Sequence, residues 1–132
     1  MRSSALDLWD YRVPFARFHI DWGADDVTPA FDQGQAYAIV EQELAVQASL
    51  ELLGHREVLV TFGSEYVQVG GAPAVHEPAW VVIAAGRKRP GATASFLNGI
   101  ADGGGVIMQA LVHARSGEIL LGTAVPVRLS VG

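Results

Sequence analysis

The chain has 132 residues and a mass of 14.0 kDa, the size of one domain. Half of its residues are hydrophobic and 17% are charged, which excludes intrinsic disorder, and the absence of cysteine excludes disulfide scaffolds, thiolate catalysis and cysteine-ligated zinc. The net charge of −5 is unevenly placed, with 11 acids and 4 bases in residues 1–66 against 3 and 5 in residues 67–132, and an acidic chain repels phosphate backbones, so no nucleic-acid partner is expected.

No apolar run approaches the ~20 residues of a membrane span. Met1 to Trp9 contains no apolar core of signal length, so a cytoplasmic protein without a membrane partner is expected. Residues 1–14 have no clear period and read as an N-terminal arm of a single α+β domain covering residues 1–132. From Phe15 to Trp22, Phe18, Ile20 and Trp22 alternate with Arg17, His19 and Asp21. Period two with aromatic enrichment predicts a half-buried strand. A loop follows from Gly23 to Pro29.

Asp32 with Gln35 three residues later matches a capping box, and residues 33–53 are rich in Ala, Leu, Glu and Gln without proline. The spacing predicts one helix over 33–53, stopped at Gly54. It carries two apolar stripes, Tyr37, Val40, Leu44, Ala48 and Leu52 on one side, and Ile39, Val46, Leu50 and Leu53 on the other. A surface helix ordinarily carries one. Sheet is expected to cover one side, and either the N-terminal arm or a second copy in a homodimer the other.

Strands are predicted at Glu57–Phe62 and Glu65–Val69, with a bulge or tight turn at Gly63-Ser64. Gly70 to Pro78 reads as a loop. Ala79–Ala85 is apolar on both sides and reads as a central strand. A long loop from Gly86 to Gly105 contains the basic cluster Arg87-Lys88-Arg89. Val106–Ala114 and Glu118–Val127 form a hairpin closed by Arg115-Ser116-Gly117, with Pro126 at a sheet edge. The fold class is therefore α+β: one long helix on a curled antiparallel sheet of four to six strands.

Four histidines occur, His19, His55, His76 and His113, none at close ligand spacing. His19, Asp21, Asp25 and Asp26 offer one N/O cluster, but isolated histidines are usually structural, so no metal site is expected. His19 and Asp21 share a strand side and are the best candidates for acid–base chemistry, although the same side reads as a solvated face. Gly103-Gly104-Gly105 lacks the Lys-Ser/Thr and the helix of a phosphate loop, and no Gly-x-Ser-x-Gly occurs. No cofactor is expected, and these residues leave enzymatic activity undecided while leaning against it.

Several pieces occur in a recognisable order. They are Glu41 to Leu53, Trp80-Val81-Val82, Asp102 to Gly105, Ala110-Leu111-Val112, Ser116-Gly117-Glu118 and Gly122-Thr123-Ala124-Val125-Pro126-Val127. From Gln33 to Arg128 this pattern resembles bacterial cystatin-like immunity proteins, found beside polymorphic toxins. The resemblance implies a cystatin-like fold and binding to a protein toxin, and it supplies no catalytic residue. Residues 1–32 lie outside it.

Three functions follow as expectations. The first is a non-enzymatic binding module for a protein partner such as a basic toxin, whose surface an acidic chain complements. Its anchors would be Trp9, Tyr11, Tyr66, Arg87, Arg89 and Phe96, the aromatic and arginine types that dominate interfaces. The second is a small-molecule site in a hotdog thioesterase-like or nuclear-transport-factor-like domain, with Asp32 or Glu41 as the first carboxylate to test. The third is a homo-oligomeric accessory subunit.

Overall fold

Asp32 starts the helix as its spacing to Gln35 predicts. In the computed structural model, which describes Leu6, residues 9–24 and residues 26–128, the Asp32 carboxylate accepts from the Gln35 N–H at 2.9 Å. The Gln35 side chain accepts in return from the Asp32 N–H at 3.1 Å. Two of the unpaired donors at the helix start are thereby satisfied. Helix α1 spans Gln33–Glu43. Asp25 and most of the first eight residues of the predicted arm lie outside the described residues.

The helix does not run on to Leu53. Ala45 adopts a left-handed backbone (φ 50°), one more turn, α2, covers Val46–Ser49, and the chain is extended from Leu50. Leu50, Glu51 and Leu52 instead pair with Lys88, Arg87 and Gly86. Tertiary pairing here overrides a helix-favouring composition. It also removes the second stripe: Leu50 and Leu52 are strand residues in the same core as Ala36 and Val40. Gly54 is not a helix cap. It lies in the strand beside the register shift at Leu53.

Five strands form one antiparallel sheet in the order β1-β2-β3-β4-β5. They are β1 (Asp21–Gly23), β2 (Leu50–Val69), β3 (Ala72–Lys88), β4 (Gly105–His113) and β5 (Ile119–Pro126). The predicted strand at Phe15–Trp22 is mostly not one. Ala16–Phe18 is a 3-10 turn that ends on the left-handed His19, and only Asp21–Gly23 pairs, with Thr61–Gly63. This turn lets both Phe15 and Phe18 face the core, which strict alternation would forbid.

The two strands predicted around Gly63-Ser64 are one strand with an irregular register there. The predicted loop from Gly70 to Pro78 shrinks to the turn Gly70-Gly71, whose φ values of 62° and 85° suit the two-residue turns that match strand twist. Arg87 and Lys88 end β3 rather than sitting in a loop. Pro126 ends β5 at the sheet edge, and Gly117 in the last hairpin is left-handed, both as expected.

β3 and β4 are buried on both faces. On one face, α1, α2 and the 3-10 turn Ser95–Leu97 cover Trp80, Val82, Ala84, Met108 and Ala110. On the other, Leu6, Phe15 and their neighbours cover Val81, Ile83, Ile107 and Leu111. The arm thus packs on the far side of the sheet, not against the helix. Phe15 is fully buried and stacks on Trp22 with centroids 6.2 Å apart, and Tyr11 meets Trp22 edge-on at 5.2 Å. Burying one such ring contributes roughly 2–3 kcal/mol.

Candidate functional site

The helix leaves one corner of the sheet uncovered. Trp80 donates its indole N–H to the Phe31 carbonyl at 3.2 Å, so α1 begins level with Trp80 and runs towards Lys88. Thr61 pairs with Pro78, past the start of the helix. On β2, Leu59 belongs to the helix-side core, and Val60 and Phe62 to the arm-side core. Alternation therefore puts Thr61 and Gly63 on the helix side. Trp22 packs arm-side, so Asp21 and Gly23 share that uncovered face. Two glycines on neighbouring strands leave a trough where side chains would otherwise stand.

The result is an open groove of about 660 Å³ bounded by β1 and the bent β2–β3 hairpin. His19, Asp21, Thr61, Ser64, Glu65, Val75 and His76 line it. The Ser64 hydroxyl donates to the Phe18 carbonyl at 2.6 Å and accepts from the Tyr66 N–H at 3.1 Å, which fixes the hairpin against the segment before β1. The His19 and Tyr66 rings lie 5.2 Å apart. Val75 and Tyr66 are 75% and 59% exposed, unusual for large apolar side chains at one place. His19 and His76 both hold positive φ, at 49° and 51°, and only three non-glycine residues do so among those described. Such strained positions cluster at functional sites.

His19 and Asp21 line the groove, while Phe18, Ile20 and Trp22 are partly buried against the arm-side core, Trp22 also bordering the groove. The companion Asp25 lies outside the described residues. Among the described residues no group of three His, Asp or Glu side chains is placed to hold a metal ion.

A second polar chain joins Glu77, His113 and Ser116. His113 Nε2 lies 2.9 Å from Glu77 Oε1, and Nδ1 lies 3.1 Å from Ser116 Oγ. This has the residue types of a hydrolytic triad, but the backbone N–H groups of Ser116, Gly117 and Glu118 are already engaged. The Ser116 N–H goes to His113 Nδ1, the Gly117 N–H to the His113 carbonyl and the Glu118 N–H to Ser116 Oγ. An acyl-transfer site needs such donors unspent. The cluster fastens the β4–β5 hairpin.

The six predicted anchors do not converge. Trp9 and Tyr11 pack in the arm-side core, where burial raises the Tyr11 hydroxyl above its ordinary pKa. Arg87 and Arg89 lie at the far end of β3. Arg89 is tied down, its Nε donating to the Gln47 carbonyl at 2.8 Å and its N–H to the Ser49 carbonyl at 2.9 Å. Between them Lys88 pairs with Asp102 and holds that carboxyl below the usual range. Phe96 packs against the helix-side core and borders a smaller groove of about 330 Å³ along β5. Tyr66 alone stands at the larger groove. Nothing in the sequence singles out Thr61 or Val75, and Gly63 interrupting an apolar strand pattern is the one available signal.

No protein-family model, curated protein or solved structure matches the chain. No helix among the described residues is long and apolar enough to cross a membrane.

Proposed function

We propose that the chain is a non-enzymatic protein-binding module with a cystatin-like fold, resembling the immunity proteins that neutralise a toxin encoded beside them. One observation carries the reading: the space between helix and sheet is filled. Ala36, Val40, Val46, Leu50, Val82, Ala84 and Met108 are all at most 1% exposed. A small-molecule fold of this class needs an enclosed pocket there. The two carboxylates that such a pocket would use are engaged elsewhere. Asp32 caps the helix, and Glu41 accepts from Gln47 at 2.8 Å.

Recognition is left to the periphery, and the groove with Tyr66 and Val75 is the larger of the two open grooves described. The order of a helix followed by an antiparallel meander supports the resemblance, as does Trp80 on a central strand. Both faces of β3 and β4 are occupied by the chain's own segments, which leaves an accessory-subunit role without the apolar face it needs. Under this reading the protein works in the cytoplasm, where a chain without cysteine is indifferent to reducing conditions.

The test is calorimetric titration with the product of the adjacent gene. A one-to-one complex with Kd on the order of 10 nM to 100 nM is expected. Tyr66→Ala combined with Val75→Ser weakens it at least ~10-fold. Absence of any complex with that neighbour overturns the reading.

A further inference from the structure

We infer, on the strength of the protein-binding reading, that the groove between β1 and the β2–β3 hairpin receives a cationic side chain from a loop of the protein partner. Asp21 and Glu65 are exposed on its walls, and no lysine or arginine lines it. Neither carboxylate has an ion pair among the described residues. The trough formed at Gly23 and Gly63 admits a side chain from outside.

A second observation is independent of charge. Thr61 lines the same groove, is 1% exposed, and its Oγ1 is buried without a hydrogen-bond partner. An unmet hydroxyl inside a fold is a cost that a matching donor removes. Ammonium and guanidinium groups carry donors only, so they answer two carboxylates and a hydroxyl at once. The Tyr66 ring at the rim, beside His19, offers a face that cations favour. An anionic or purely apolar side chain would leave the carboxylates facing a like charge or no donor.

The experiment titrates isotopically labelled protein with three capped tripeptides, Gly-Arg-Gly, Gly-Glu-Gly and Gly-Leu-Gly, and follows backbone amide shifts. Saturable shifts at Gly23, Thr61, Gly63 and Glu65 are expected with the arginine peptide alone. Asp21→Asn with Glu65→Gln lowers that affinity at least ~10-fold, since both side chains are exposed and the fold does not depend on them. Thr61→Val also weakens peptide binding while leaving the melting temperature equal or higher, a pair of effects that a merely structural threonine would not give. Equal shifts with the leucine peptide, shifts confined elsewhere, or no saturable shift overturn the inference. A second arm separates the two readings. If the Asp21→Asn, Glu65→Gln protein holds the product of the adjacent gene as tightly as the parent, the cation assignment fails and protein binding stands. If the parent does not bind that product, the protein-binding reading fails and this inference falls with it.

Discussion

Trp9 donates its indole N–H to the Gln109 side-chain oxygen at 2.8 Å, across 100 positions of sequence. Gln109 is 1% exposed between the apolar Met108 and Ala110, and its amide nitrogen donates to the Tyr11 carbonyl at 2.7 Å. One buried amide thus answers one donor and one acceptor of the arm. Gln109→Leu keeps the volume and strands both partners. It should lower unfolding stability by about 2–4 kcal/mol. Urea denaturation followed by tryptophan fluorescence checks this. A midpoint unchanged from the parent contradicts the pinning role.

Ala45 is an exposed residue with φ of 50°, between α1 and α2. A Cβ in that conformation costs roughly 1–2 kcal/mol, which glycine avoids at some cost in unfolded-state entropy. Ala45→Gly should therefore stabilise by about 0.5–1 kcal/mol and raise the melting temperature by roughly 2–5 °C. Ala45→Val should do the opposite. Calorimetric melting of both variants tests the sign.

Gly86 faces Leu52 across the ladder, next to the irregularity at Leu53. A Cβ there would stand 2.6 Å from the Glu51 carbonyl oxygen, which is backbone and cannot swing aside. Gly86→Ala should cost about 1–3 kcal/mol through a forced separation of β2 and β3. The same substitution at Gly63 meets its nearest atom at 3.4 Å and should be mild in comparison. Denaturant midpoints of the two variants, measured side by side, decide it.

Burial, and after it the nearby Glu41 charge, raise the Tyr37 hydroxyl from 10.0 to about 12. The folded state therefore prefers the neutral phenol more than the unfolded chain does. Its contribution to stability is complete below pH 10 and is lost as pH rises from 10 through about 12. Phenolate absorbance should show a component with a midpoint of about 12 that Tyr37→Phe removes. The variant's stability should fall less steeply over the same alkaline range.

Local chemistry was readable where local chemistry decides. The Asp32–Gln35 capping box, the left-handed Gly117 and the split between Phe18, Ile20, Trp22 and His19, Asp21 depend on near neighbours alone. Leu50–Leu53 was misread because nothing within a helix-length window announces that Gly86–Lys88 will pair with it. Gly63-Ser64 reads as a bulge or a tight turn; the register shift there fits the bulge, and the chain turns only at Gly70-Gly71. The groove was half legible. Asp21 on β1 and His19 just before it stand out by alternation, but Thr61 joins them only through the β1–β2 register.

The arm also imposes an order on how the molecule comes into being. Every strand pairs with its neighbour in sequence, so no strand pairing waits for a distant segment. Trp9 must wait for Gln109, which leaves the ribosome about 5–20 s later at ordinary translation speeds. Throughout that interval the seat for Phe15, formed by Val81, Ile83, Ile107 and Leu111, is incomplete or bare. A nascent chain, or one trimmed at its start by a protease, therefore presents a sticky sheet to chaperones and to its own siblings, and the seating of the arm is the event that ends its vulnerability.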